Sequence, residues 1–367
     1  MNNQQQNKIQ VIAFYLPQFH TIPENDLWWG EGFTEWTNVK KAKPLFKEHY
    51  QPRIPGDLGY YDILSPKTRE DQAELAEEAG ISAFCYWHYW FGGEKQLLEK
   101  PLMEVVRLGK PDLPFCLSWA NHSWLKKNWN ADTSELSTKV LMEQKYYDEE
   151  DIEAHFYAML PVFKDKRYYR LSGKLVFVFY DIKSIPYIEI FIKRWQQLAI
   201  EHKLTGFYFI SQIRSASEIN SYANSLCDAV NLYLLRDVFD VSKWKHRMRY
   251  IKRKLNMEAQ YGKDYVKATD QMNHESMYKD FVYPTIIPNW DTVPRRGKMG
   301  DVLIDSTPQK FYSHVTKIFN YLRNKKEKDK IVFLKSWNEW AEGNYLEPDQ
   351  RDGKDYMHAL RKAIDEC

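Results

Sequence analysis

The stretch Ile331-Val-Phe-Leu-Lys-Ser-Trp-Asn-Glu-Trp-Ala-Glu-Gly343 runs from apolar residues straight into two carboxylates, Glu339 and Glu342, set among Trp337, Asn338 and Trp340. Two carboxylates among indoles suit glycoside chemistry. Apolar surroundings keep one carboxyl protonated to serve as acid, while the other stays charged as base or nucleophile. Flat indole faces pack against the apolar faces of sugar rings. The plain alternative is a pair of surface glutamates at a helix N-terminus, where negative charge complements the dipole. The tryptophans before and between them favour chemistry.

The same combination recurs after other apolar runs. Tyr15 leads into Pro17-Gln-Phe-His20 and a long loop with Trp28, Trp29, Glu31, Glu35 and Trp36. Further on come Trp87-His-Tyr-Trp-Phe91, Trp119-Ala-Asn-His-Ser-Trp124, Tyr180-Asp181 and Asn289-Trp-Asp291, the last followed by Arg295 and Arg296. The candidate catalytic pair is therefore Glu339 and Glu342. The candidate sugar contacts are Tyr15, His20, Trp29, Glu35, Trp36, Trp87, His88, Trp119, Asn121, His122, Tyr180, Asp181, Trp290, Trp337, Asn338 and Trp340. His20, His88 and His122 also invite a three-histidine metal reading, but no HxH or HExxH pair adds specificity. Hydrogen bonding to sugar hydroxyls is the simpler role for neutral imidazoles, and no metal is expected. Neither GxGxxG nor GxxxxGK[ST] occurs, so no nucleotide site and no cofactor is expected.

Strand ends must position these residues. Nearly continuous apolar, β-branched runs fall at Gln10–Leu16, Ala83–Trp87, Pro114–Trp119, Leu175–Tyr180, Gly206–Ser211, Ala229–Leu232, Tyr283–Pro288 and Ile331–Ser336. Runs without strict alternation are the pattern of strands covered on both faces. Helical segments lie between them. Ser65–Gly80 opens Ser-Pro and closes on Gly, Pro186–Glu201 is of the same kind, and Thr307–Asn324 has Pro308 just inside its start. Eight strands separated by helix-sized connections predict an α/β fold, a (β/α)8 TIM barrel with long βα loops, over a doubly wound sheet. In such a barrel the C-terminal strand ends carry the active site.

Composition is consistent with one barrel spanning residues 1–367. Hydrophobic residues are 44% and charged residues 28%, ordinary for a globular chain, and the net charge of +2 gives no case for nucleic acid. Of 13 Trp, all but Trp195 and Trp244 lie at or just past a candidate strand end. The first residues lack the basic and apolar regions of a secretory signal, and no apolar run approaches the roughly 20 residues of a membrane span. Four cysteines without a CxxC pair read as reduced thiols, so a cytoplasmic location is expected. Residues 236–280 read as a basic helical insertion. Lys243, Lys245, Arg247, Arg249, Lys252, Arg253 and Lys254 crowd a few turns, with Trp244, Met248, Ile251 and Leu255 on one face. Residues 243–255 are either a solvated face or a contact with anionic membrane or lipid-linked glycan.

Four blocks carry a family resemblance: Ile12-Ala-Phe-Tyr-Leu-Pro-Gln-Phe-His20, Trp29-Gly-Glu-Gly-Phe-Thr-Glu-Trp-Thr37, Tyr86-Trp-His-Tyr-Trp-Phe91 and Trp337-Asn-Glu-Trp-Ala-Glu-Gly343. The chain resembles the bacterial WbsX-like glycosyltransferases of O-antigen and polysaccharide biosynthesis, relatives of glycoside hydrolase family 99, the endo-α-mannosidases and endo-α-mannanases. The resemblance implies that Glu339 assists attack by the sugar's own 2-hydroxyl on C1, forming a 1,2-anhydro sugar. It implies that Glu342 acts first as general acid and then as general base, with retention. Ala341 stands where the hydrolases carry His, and the first strand lacks their Tyr-Pro-Trp-Tyr signature. The expectation is an enzyme cleaving or transferring an α-linked, mannose-type glycan in surface polysaccharide biosynthesis. The alternative is a non-catalytic glycan-binding or assembly protein on a degenerate hydrolase barrel.

Overall fold

A computed structural model describes residues 9–129, 136–239, 262–325 and 329–367. Eight parallel strands form the barrel: β1 (Gln10–Tyr15), β2 (Ile81–Trp90), β3 (Phe115–Trp119), β4 (Lys174–Phe179), β5 (Phe207–Ile213), β6 (Ala229–Leu232), β7 (Val282–Ile286) and β8 (Ile331–Leu334). Each pairs with its neighbours in chain order. The sheet closes where β1 pairs with β8, Gln10 opposite Ile331. Every strand falls on one of the apolar runs, because side chains on one face fill the barrel while those on the other meet helices.

A helix follows each strand: Pro66–Ala79, Lys100–Leu108, Glu149–Phe163, Ile188–Glu201, the single turn Tyr222–Ser225, Tyr265–Met272, Pro308–Arg323 and Asp355–Asp365. Local chemistry sets their ends. The Ser65 hydroxyl accepts from the Thr68 N–H, Pro66 opens the first turn, and Gly80 closes the helix in the left-handed region at φ +85°. Thr307 caps Lys310 in the same way ahead of Pro308. The fourth helix starts at Ile188, two residues later than its sequence pattern, after left-handed Tyr187.

Part of the aromatic content belongs to the layer between sheet and helices. Trp195 is fully buried there among Phe156, Phe163, Phe177, Phe191 and Phe207. The long loops are real: β1 is followed by two short helices, Pro23–Trp29 and Glu35–Lys41, and β3 by a hairpin pairing Trp124–Trp129 with Leu136–Met142. All four cysteines are free. The basic stretch 243–255 lies outside the described residues. Among the described residues no helix is long and apolar enough to cross a membrane.

The pleat decides which strand-end side chains face the barrel axis. Phe14 of β1 stacks on Trp87 of β2 at 4.7 Å and on Phe333 of β8 at 5.4 Å, so these three point inward. Their sequence neighbours point to the helices.

Candidate active site

Glu339 and Glu342 sit on the tight turn after β8. The Glu339 N–H donates to Ser336 Oγ at 2.8 Å, and Gly343 turns the chain at φ +65°. A Cβ at Gly343 would come within 2.7 Å of Asp291 Cβ, so only glycine fits. That closeness matters because the Asp291 N–H donates to the Glu342 carbonyl at 2.7 Å. The buried Asp291 carboxylate in turn accepts from His49 Nε2 at 2.8 Å, from Gln51 Nε2 at 2.6 Å and from the Val293 N–H at 3.0 Å. One hub thus fixes the backbone of Glu342 and the start of the one-turn helix Val293–Arg296.

The Glu339 side chain, only 4% exposed, has both oxygens engaged. Trp87 Nε1 donates to Oε1 at 2.6 Å, and Lys335 Nζ lies 3.1 Å from each oxygen. Glu342 accepts from Arg295 Nη1 at 2.5 Å, while Arg295 Nη2 donates to Glu35 Oε1 at 2.7 Å. Glu35 begins its helix behind a Thr34–Thr37 capping box and also accepts from the Ala341 N–H at 3.3 Å. Residues more than 300 positions apart therefore meet at one turn.

Electrostatics separates the two carboxyls. Burial works against a charge on Glu339, but Lys335, a hydrogen bond from Glu342, Arg295 and the Trp87 N–H outweigh it and hold the group down at about 2. Burial pushes Glu342 up to about 7, opposed by Arg295 and reinforced by the Glu339 charge. At neutral pH one carboxyl is charged and its hydrogen-bonded neighbour can hold a proton, the arrangement an acid–base pair needs.

Aromatic side chains surround this pair. Tyr180 meets Trp87 edge-on at 5.8 Å, and His122 lies 4.8 Å from the Tyr180 ring. Arg214 donates to the Tyr180 hydroxyl at 3.0 Å and approaches Asp181 at 3.7 Å. Tyr233, near Trp290 at 6.5 Å, keeps a buried hydroxyl without a partner among the described residues. Of the expected contacts, Glu35, Trp87, His122, Tyr180, Asp181 and Trp290 gather in this region.

Others do not, and the pleat explains the first three. Tyr15 points outward and donates to Gln72 Oε1 at 2.6 Å on the helix Pro66–Ala79. His88 also points outward, its Nε2 2.7 Å from His155 Nε2, and burial lowers it to about 3. Trp119 donates to the Trp90 carbonyl at 2.9 Å and stacks on Phe191. Two asparagines clip loops. Asn121 accepts from the Asp181 N–H at 2.9 Å and donates to its carbonyl at 2.7 Å. Asn338 accepts from the Leu16 N–H at 2.7 Å and donates to its carbonyl at 3.0 Å.

Trp36, Trp337 and Trp340 are buried around the turn that carries Glu339 and Glu342. Trp36 donates to the Tyr61 carbonyl at 2.8 Å, and Trp337 packs on Phe84. Trp340 stacks on Tyr345 and donates to Glu347 at 2.6 Å. His20 Nδ1 is 3.0 Å from the Pro17 carbonyl in a buried pocket of its own. Trp29 is 43% exposed and stacks on Phe33. The three histidines thus have separate surroundings, and among the described residues no group of metal-ligating side chains forms.

Sequence reading names Asp291 and Arg295 only as residues that follow the seventh run, and misses Lys335, Tyr233 and Glu347 as parts of this centre. Lys335 carried a signal, a lone charge ending an apolar strand; Arg295 carried none beyond its position after β7.

The sequence and the fold have counterparts in known proteins. Two curated relatives from Xanthomonas campestris pv. campestris, both named "Uncharacterized protein WxcX", are 32% identical over 96% of this chain. The chain spans about half of their length, 49%. Among solved structures, a "Glycoside hydrolase-like protein" superposes with a TM-score of 0.60 at 15% identity, over 98% of this chain and 94% of that one. The GH99 endo-alpha-mannosidase from Bacteroides thetaiotaomicron superposes with a TM-score of 0.51 at 16% identity, over 97% of both chains. The sequence model "Glycosyltransferase WbsX" matches residues 11–360, and with this match the chain belongs to the WbsX glycosyltransferase family.

Proposed function

We propose that this chain is a glycan-active enzyme that cleaves or transfers an α-linked, mannose-type glycan during assembly of a surface polysaccharide, using Glu339 and Glu342 with retention of configuration. The observation that carries the reading is the pair itself: two carboxyls on one turn, one clamped as an anion by Lys335 and Trp87, the other able to hold a proton at neutral pH. Glu342 gives its proton to the leaving glycosidic oxygen. In the second step it takes a proton from water, which gives hydrolysis, or from an acceptor hydroxyl, which gives transfer. Glu339, the charged member, takes the proton of the sugar's own 2-hydroxyl as that oxygen attacks C1, and the 1,2-anhydro sugar so formed is opened at C1 in the second step, when the proton returns to O2. Trp87, Tyr180 and Trp290 offer ring faces and edges to a saccharide.

The test is incubation with α-mannosides, other α-linked oligosaccharides and nucleotide sugars, with products analysed by mass spectrometry. E342Q removes the mobile proton while keeping shape, and turnover should fall by about 10²–10⁴-fold. Full turnover in E342Q would refute the assignment. Glycan binding without turnover by the unmodified protein would favour a binding or assembly role, a reading to which the prior engagement of both Glu339 oxygens lends specific support.

A further inference from the structure

We propose that Lys335 is a positioning residue: it fixes Glu339 as the anion of the resting site and so directs the one mobile proton to Glu342. The inference rests on Glu339 and Glu342 being the working pair.

Lys335 follows the apolar strand Ile331–Leu334 and, by the pleat, shares the inward face with Phe333. Its side chain is 9% exposed. Aromatic rings enclose it, with Nζ 5.0 Å from the centre of Trp87 and 5.7 Å from those of Phe14 and Tyr233. An ammonium in such a place is costly unless a counter-charge and hydrogen bonds accompany it. Glu339 supplies both, with two oxygens at 3.1 Å, while the ring faces add cation–π attraction. Trp87 ties the cluster together, because its indole N–H holds Glu339 while its face lies by the ammonium.

The charges facing this centre come from several strand ends. Among the described residues, Lys335 and Arg295 are the two cations in contact with it, and Glu35, Glu339 and Glu342 are the three carboxyls. The phenols Tyr89, Tyr180 and Tyr233 face it, and at the rim stand His122 and Arg214, the latter beside Asp181. Lys335 serves Glu339 alone, whereas Arg295 is divided between Glu35 and Glu342. Glu35 is the more deeply buried of those two and also takes the Ala341 N–H. The carboxyl left without a cation of its own is Glu342, on the more open side at 19% exposure. Two cations against three carboxyls balance when one proton is bound, and this geometry places that proton on Glu342. Without Lys335 the same proton would be shared between two carboxyls in contact, as in any like-charged pair.

The test uses the full chain labelled with ¹³C-glutamate, the Glu339 and Glu342 side-chain carboxyl signals being assigned with E339Q and E342Q. In the unmodified protein the Glu339 signal should stay that of a carboxylate across the pH range in which the chain is folded. In K335M its titration should move up by about 1–3 pH units, and in K335R it should return toward the original. K335Q, also neutral, provides the same reading if K335M fails to fold. A Glu339 titration unmoved in a folded neutral variant would overturn the proposal. On any glycan the unmodified protein turns over, K335M should shift the pH profile of kcat while KM changes less than about two-fold. An unshifted profile would also overturn it. Absence of turnover by the unmodified protein on every glycan would count against the functional reading, while the titration still decides the role of Lys335.

Discussion

Replacing Glu347 with Gln tests how the turn that carries Glu339 and Glu342 is supported. Glu347 is buried beneath that turn and accepts hydrogen bonds from Trp340 Nε1 at 2.6 Å, Gln72 Nε2 at 2.6 Å and the Tyr61 hydroxyl at 3.0 Å. All three donors are neutral. Burial therefore prevails over these bonds and raises the carboxyl from 4.5 to about 7. The folded chain then keeps a proton that the unfolded chain releases. The associated stability is fully present below the unfolded value and is lost as pH rises through the folded one. A rise of this size corresponds to about 3 kcal/mol, since each pH unit is about 1.4 kcal/mol. Gln cannot ionise, so E347Q should escape that loss. It also places an amide N–H against existing donors, at about 1–3 kcal/mol, but that cost is the same at every pH. The assay is urea unfolding of both proteins at several values between about pH 4.5 and 8. Relative to the original, E347Q should gain about 3 kcal/mol across that window. Parallel stability curves would refute the reasoning. Glu342 titrates in the same range but is present in both proteins and cancels in the comparison.

Removing the Arg295 charge with R295M should let Glu342 rise above its present value of about 7, so the alkaline limb of kcat, where the acid loses its proton, should move to higher pH. An unmoved limb in pH–rate measurements would contradict the Arg295–Glu342 contact. N338A should destabilise the fold by about 2–4 kcal/mol, because the buried Leu16 N–H and carbonyl both lose their partner. If Asn338 only clips the chain, the folded N338A fraction should bind glycan as the original does, measured by calorimetry; a large loss of affinity would restore it as a sugar contact.

Much of this molecule is legible in its sequence because strand burial leaves a strong mark. The eight apolar runs stand out since a barrel strand is covered on both faces, and the Ser-Pro and Thr-Pro helix starts read correctly since capping is a local interaction. Glu339 and Glu342 could be located because the end of β8 and its turn are contiguous in the chain. Tyr15, His88 and Trp119 show where that reading fails. A strand end is a position along the chain, whereas a binding site is a direction, and adjacent residues of a strand point oppositely. Asn121 and Asn338 fail for another reason: polar side chains at a barrel mouth are also needed to join neighbouring loops, and composition does not separate the two uses.

The sequence by itself determined the strand count, the barrel and the two glutamates, because each depends on patterns within a few residues. Which of those glutamates is the anion was implied by the family resemblance, but its physical ground lies only in the tertiary structure. That choice depends on Lys335, Trp87, Arg295 and Glu35, brought from four different strand ends to within about 3 Å of the pair or of each other, where burial makes each charge count. Proton placement is a property of the assembled field, and no local stretch of chain contains it.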